Sequence, residues 1–172
     1  MRMFGFAALS LTLSLLCCPV TPSHAQTAQR VAFFGFSLIN TSLETTTSAE
    51  KTRLQALDDL FRQQVDASPV FDIVPIPAKL QGDIGAINDI SACNGCERDF
   101  ALKAGAELAA WGTVQKVSNL ILNINVYIED VASGRMRFVK SVDIRGNTDE
   151  SWQHGLRYLL RYYLLTGKDL KR

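Results

Sequence analysis

The sequence predicts an α/β (α+β) domain built on a single mixed five-stranded sheet with helices, in the order β-α-β-α-β-β-β-α. Three observations carry that prediction. Arg30–Leu38 (RVAFFGFSL) is a β-branched and aromatic run followed by an amphipathic helix and a second short strand, which is the pattern of a parallel βαβ unit. Asn119–Val131 alternates apolar and polar residues over its whole length, as a strand with one face on a core must. Thr47/Glu50 and Asn147/Glu150 each have the spacing of a helix-opening capping box.

The chain has 172 residues and begins with a segment that does not read as part of a fold. Arg2 is followed by an apolar run from Phe6 to Val20, then by Pro19, Pro22 and Ser23-His24-Ala25. Small residues at the third and first positions before Gln26 suit signal peptidase, so residues 1–25 read as a cleavable signal peptide. The run is shorter than the roughly 20 residues a membrane-spanning helix needs, so no permanent membrane anchor is expected. Lipidation would use Cys17 or Cys18, but neither follows a small residue. The expected location is therefore the periplasm. The mature chain, 26–172, has the length of one ordinary domain. It carries 17 basic and 17 acidic residues. That balance speaks against a nucleic-acid partner, which would call for a basic excess.

After the first strand, Ile39–Thr47 is a polar loop. The helix opened by Thr47 places Leu54, Leu57, Phe61 and Val65 on one stripe, with Lys51, Asp58, Arg62 and Asp66 outside. Ser68-Pro69 ends it, and Val70–Val74 is the second strand. Ala78–Ala92 has no clear period. Cys93–Ala104 reads as a short helix closed by Gly105. Glu107–Val117 is the third strand. In the fourth, Leu120, Leu122, Ile124, Val126 and Ile128 face the core. Ser133-Gly134 turns the chain into a fifth strand burying Met136, Phe138, Val142 and Ile144, so the last three strands form an antiparallel meander. In the last helix Trp152, Leu156, Leu159, Leu160 and Tyr163 point inward, and His154, Arg157 and Arg161 outward.

Short motifs along this layout resemble known domains. Val31-Ala-Phe-Phe-Gly-Phe36, Phe71-Asp-Ile-Val74, Ala104-Gly-Ala-Glu107, Trp111-Gly-Thr-Val114, Asp130-Val-Ala-Ser-Gly134 and Leu164-Leu-Thr-Gly167 resemble the TolB N-terminal domain and the related CsgG-like periplasmic domains. Three further stretches resemble a family of exported bacterial proteins defined as a domain of unknown function. They are Asn40-Thr-Ser-Leu-Glu44, Lys116-Val-Ser-Asn-Leu-Ile121 and Asp143–Trp152. That resemblance implies an accessory role, with an exported quinoprotein dehydrogenase as a candidate partner.

Cys93-Asn-Gly-Cys96 is the sharpest local feature, and no other cysteine remains in the mature chain. In an oxidising compartment the two are expected to form a structural disulfide. Closing so short a loop contributes only about 2 kcal/mol in the entropic view. Haem attachment would need a His where Glu97 stands. Zinc would need further ligands, and the only mature imidazole is His154. A redox-active pair stays open.

No catalytic constellation is visible: His154 has no recognisable Ser or Cys partner, and Asp149 and Glu150 read as first-turn acids of a helix-cap motif with Asn147. No cofactor is implied. The candidate interaction surface is the loop Asn40, Thr41, Ser42 and Glu44, together with a sheet face carrying Trp111, Asn123, Asn125 and Tyr127. A helix covering that face would make Trp111 core. The reading is thus a non-enzymatic accessory domain docking on a periplasmic protein. A small-ligand or cofactor-binding module and a thiol redox protein using Cys93 and Cys96 stand as alternatives. N-terminal sequencing of the periplasmic form is expected to start at Gln26; an intact Met1 in the soluble cytoplasm refutes export.

Overall fold

The computed structural model describes residues 27–87, 89–168 and 170; the signal-peptide reading of residues 1–25 falls outside them. Chain order runs β1 (Gln29–Asn40), α1 (Ser48–Asp66), β2 (Phe71–Ile73), α2 (Ala78–Gly85), a 3-10 turn (Ile90–Ala92), α3 (Cys96–Lys103), β3 (Leu108–Lys116), β4 (Ile121–Asp130), β5 (Met136–Arg145) and α4 (Asp149–Leu159). A π-helical turn, Leu160–Leu164, continues α4. The five strands form one sheet in the order β2-β1-β3-β4-β5. β1 pairs parallel with both β2 and β3, while β3-β4 and β4-β5 are antiparallel. This is the expected α+β fold with one more helix, since Ala78–Ala92 contains α2 and the 3-10 turn. Among the described residues no helix is long and apolar enough to cross a membrane.

The two sheet faces are covered unequally. On one, α1 and α4 bury Leu57, Phe61, Trp152, Leu156 and Leu159 against Val31, Phe33, Ile124, Val126 and Phe138. Phe33 stacks on Phe61 with ring centroids 4.0 Å apart. Gly155 lets α4 sit directly on β4 and β5, because a Cβ there would collide with Ile144. The other face holds a smaller core of Ala32, Leu80, Phe100, Ala101, Ala109 and Trp111 under α2 and α3. Toward β4 and β5 this second face carries a polar ladder instead: Asn125 donates to Thr113, Asn123 to Asp143, and Ser141 to Asn123.

Several expectations need correction. Leu120 precedes β4 and is exposed in the turn; Met136 lies at the β4-β5 irregularity and is also exposed. Asp58 does not point to solvent. β1 bulges between Phe33 and Phe36, with Gly35 at φ +88°, and the Phe36 amide left by the bulge donates to Asp58 Oδ1 at 2.7 Å. A bulge removes a ladder partner, and here the helix supplies the substitute acceptor. Burial pushes the Asp58 carboxyl up to about 6, against the opposing pull of the Phe36 amide and Arg62.

An acid whose pKa is higher in the folded state makes the fold more stable as pH falls, from above that value toward the unfolded value near 3.8. At neutral pH the buried charge instead costs stability. Asp58→Asn keeps an acceptor for Phe36 without the charge. It is expected to raise the melting temperature by about 4 °C at pH 7.5, with the gain disappearing near pH 4.5. A thermal melt series across that range measures it; a gain that is constant with pH refutes the assignment.

Candidate functional site: a polar clasp with an apolar rim

At the end of the sheet where β1 and β3 finish, three connections meet: the β1-α1 loop, the β3-β4 turn and the β5-α4 loop. Lys116, the last residue of β3, extends into this junction and is only 1% exposed. Its Nζ donates to Glu50 Oε1 at 2.8 Å and to Glu44 Oε2 at 2.9 Å. Glu50, 0% exposed, is the capping-box acid of α1, and its Oε2 also accepts from the Thr47 amide at 2.7 Å. A carboxylate placed by local helix capping thus serves as the counter-charge for a lysine 66 positions away.

Asn147 completes the clasp. Its Nδ2 donates to Glu50 Oε1 at 2.7 Å and to Asn119 Oδ1 at 2.9 Å. Its Oδ1 accepts from Arg53 Nη1 at 3.0 Å and from Trp152 Nε1 at 3.1 Å. All four hydrogen-bonding positions of the amide are filled. Asn147 is therefore not the cap of α4 expected from its spacing to Glu150. Thr148 takes that place, its Oγ1 accepting from the Ser151 amide. Asp149 pairs with Arg53 at 2.6 Å, and Glu150 lies in the first turn of α4, exposed. Asn119 donates to both oxygens of Glu44, and the backbone amides of Gly146 and Asn147 donate to Leu120 and Asn119.

The electrostatics favour the charged pair. Burial alone would raise the Glu50 pKa, but hydrogen bonds from Lys116, Thr47 and Asn147 outweigh it and hold the carboxyl at about 2. Hydrogen bonds to Glu50 and Glu44 raise the Lys116 pKa above its ordinary value, against the opposing effect of burial.

The loop residues Asn40, Thr41, Ser42 and Glu44 turn their polar groups inward. Asn40 Oδ1 accepts from the Ser42 amide and hydroxyl, Asn40 Nδ2 donates to the Glu44 carbonyl, and Thr41 donates twice to the Lys116 carbonyl. Beside these polar residues stand exposed apolar ones. Leu43, Val117 and Leu120, each a neighbour in sequence of a clasp residue, and Ile121 beside Leu120 are all exposed. Sequence reasoning named the loop but missed Leu43 and Lys116. The available signal was the pairing of a polar, structure-poor stretch with an isolated leucine.

The sheet-face candidates are divided by the structure. Trp111 is 5% exposed, stacked on Tyr127 at 5.4 Å and packed into the smaller core, so it is core and not a contact residue. Tyr127 is half-buried beside it. Asn123 and Asn125 lie on the part of the face beyond α3, half-buried and engaged in the polar ladder. Cys93 and Cys96 are disulfide-bonded, at the far end of the sheet from the clasp.

Residues 29–164 match the model of DUF3280, described as a protein of unknown function (DUF2380). The chain belongs to that family. Glu44, Lys116, Asn119, Asn147 and Trp152 all fall within the matched residues. No curated protein matches the chain in sequence.

Solved structures share the fold. The LpoB C-terminal domain from Salmonella enterica is similar with a TM-score of 0.51 at 10% identity, over 71% of this chain and 86% of that one. Lipoprotein GNA1162 from Neisseria meningitidis gives 0.51 at 12% identity, over 77% and 91%. A PelC dodecamer from Paraburkholderia phytofirmans gives 0.50 at 14% identity, over 78% and 86%. At these identities the likeness concerns the fold alone.

Lys116→Met removes the cationic partner of Glu50 and leaves a buried carboxylate uncompensated, a change that costs about 3–5 kcal/mol at pH 7. The folded-state pKa of Glu50 is depressed, so the clasp's contribution is full above the unfolded value of 4.5 and is lost as pH falls toward about 2. The lysine's contribution holds below its unfolded value of 10.5 and is lost as pH rises through the raised folded value. The penalty of Lys116→Met is therefore expected to shrink in denaturant melts taken near pH 4, where the orphaned Glu50 takes up a proton. A penalty unchanged between pH 7 and pH 4 contradicts the charge pairing.

Proposed function

We propose that this domain is a non-enzymatic accessory module of the bacterial envelope whose clasp end docks on a partner protein. The observation that carries the reading is the apolar rim of Leu43, Val117, Leu120 and Ile121 standing on a hydrogen-bonded base. A side chain exposed on a rigid base loses little further freedom on binding, so its burial converts more fully into affinity. A protein is favoured over a small ligand because the rim offers exposed aliphatic side chains from two connections, while the neighbouring polar groups that could orient a small molecule are already engaged with one another. The fold likeness to the LpoB C-terminal domain and to a lipoprotein supports an envelope setting. The leader-like residues 1–25 support export to the periplasm. An exported dehydrogenase is the first partner to try.

Leu43→Asp and Leu120→Asp place charges on the rim without touching the clasp. Each is expected to leave the melting temperature within about 2 °C of wild type, since surface changes of this kind stay within about 0.5 kcal/mol. Each should abolish a defined crosslink formed in the periplasm from a photoreactive residue at position 117. A crosslink that survives both substitutions, or appears equally from position 139 on β5, places docking elsewhere. Added mass on the native protein with no crosslinked protein would favour the ligand-binding reading.

A further inference from the structure

The far end of β4 holds a second chemical constellation, unrelated to the clasp. Cys93 lies just after the 3-10 turn, and Cys96 opens α3, with Asn94 and Gly95 at φ +56° and +100° making the tight reversal between them. Glu97, the next residue of α3, is more than nine-tenths buried, and its Oε2 lies 3.1 Å from Cys93 Sγ. A disulfide sulfur has no proton to give, so this contact leaves the carboxylate without a donor from the bridge. One ligand atom from each of Cys93, Cys96 and Glu97 falls within 4.8 Å of the others. Glu129, equally buried, brings its carboxyl from β4 into hydrogen-bonding contact with that of Glu97. Arg98 approaches Glu129 from outside, Nε to Oε1 at 3.7 Å.

We propose that reduction of the Cys93–Cys96 bridge opens a binding site for a zinc-class divalent cation, formed by the two cysteine sulfurs and the carboxylates of Glu97 and Glu129. Two thiolates and two carboxylate oxygens are a tetrahedral donor set that suits a borderline-soft ion such as Zn²⁺. The backbone already permits it. Two Zn–S bonds of about 2.3 Å at a tetrahedral angle hold their sulfurs roughly 3.8 Å apart. Side-chain rotation from Cα atoms 5.6 Å apart reaches that separation. Glu97 supplies a third ligand from α3, and Glu129, in contact with Glu97, turns in from β4 as the fourth, so the ion would tie α3 to β4, which the bridge between Cys93 and Cys96 does not. Both cysteines are half-buried, not sealed, and a small reductant can reach them.

The chemistry balances with a dithiol as reductant. It gives two electrons and two protons to the S–S bond, which becomes two thiols, and leaves as its own disulfide. The divalent ion then forms two metal–sulfur bonds and releases the two thiol protons. A disulfide of the same class reverses the step: it takes two electrons from the two thiolates and two protons from solvent, leaves as the dithiol, and the bridge re-forms as the ion is released. Glu129 is not visible as a fourth ligand from the sequence, because it is 33 residues from Cys96 and only the fold brings them together.

The test uses the full mature protein, reduced anaerobically with a trialkylphosphine, which does not itself offer a thiol to the metal. Zn²⁺ is titrated against a chromophoric chelator, and Co²⁺ is added in parallel so that sulfur-to-metal charge-transfer absorption reports the thiolates. One Zn²⁺ per reduced chain and none per oxidised chain are expected. Glu97→Gln and Glu129→Gln should each weaken zinc about tenfold or more, and Cys93→Ser/Cys96→Ser should abolish it. The idea is overturned if the reduced chain, with unchanged circular dichroism, takes up no zinc. It is equally overturned if the Glu97→Gln/Glu129→Gln double variant binds as tightly as wild type, since that describes a bare dithiol. Should reduction itself loosen the fold, zinc must restore the native near-ultraviolet dichroism, and failure to do so also overturns it. Residues 121 and 129 lie about 26 Å apart along β4 at the usual strand rise, so rim and metal variants report on separate ends of the domain.

Discussion

A lysine ammonium at the end of β3 has been taken almost wholly out of water, and the loop end of the domain is arranged around that fact. Removing an ion pair from solvent costs several kcal/mol per ion, which attraction alone does not return unless the remaining polar positions are filled. Here most are filled: Lys116 Nζ donates to two carboxylates, Glu50 has Thr47 and Asn147 besides, and Asn147 has four partners. Pairs of this kind contribute little to net stability compared with an apolar replacement. What they give is a single permitted arrangement. Any shift of the β1-α1 loop moves Glu44 from Lys116, and any shift of the β5-α4 loop uncovers Glu50.

Glu50 shows how a local rule is put to a tertiary purpose. As the acid of a capping box its position is dictated within four residues, before any long-range contact forms. The network is then built on a group whose place is already known, and Lys116 meets an oriented partner. Asn147 is the opposite case. Its spacing to Glu150 satisfies the same local pattern, yet its amide is drawn into the clasp by Asn119 and Arg53, and Thr148 caps the helix. Where a cap and a buried charge compete for one asparagine, the buried charge wins, since a cap contributes only about 1 kcal/mol and a threonine can supply it.

This contrast explains what the sequence could show. Strand alternation, the helix stripe of Leu57, Phe61 and Val65, and the parallel β1-β2 unit follow from periodicity, which is a property of neighbours along the chain. Lys116 stands at the end of a strand pattern where a surface lysine would look the same. Asp58 occupies an outward helical position and turns in only because the β1 bulge frees an amide. Trp111 lies on the face that alternation assigns it, but whether α3 reaches that far cannot be read from β3. Each case depends on a partner in another element, 22 and 66 residues away for Asp58 and Lys116.

The division of exposed surface between two chemistries bears on where a partner would find affinity. On the open part of the sheet, Asn123, Asn125, Thr113 and Ser141 already hydrogen-bond to one another or to Asp143. A partner there would exchange satisfied bonds for similar ones, a trade with a net value near zero. On the rim, Leu43, Val117, Leu120 and Ile121 are exposed apolar groups with no such compensation. Burying a leucine-sized side chain contributes about 1.5–3 kcal/mol, and the polar clasp beneath prevents these residues from folding back to bury themselves. The buried charge therefore acts on the rim at a distance: its hydrogen bonds hold the loop geometry, and that geometry keeps four aliphatic side chains in water.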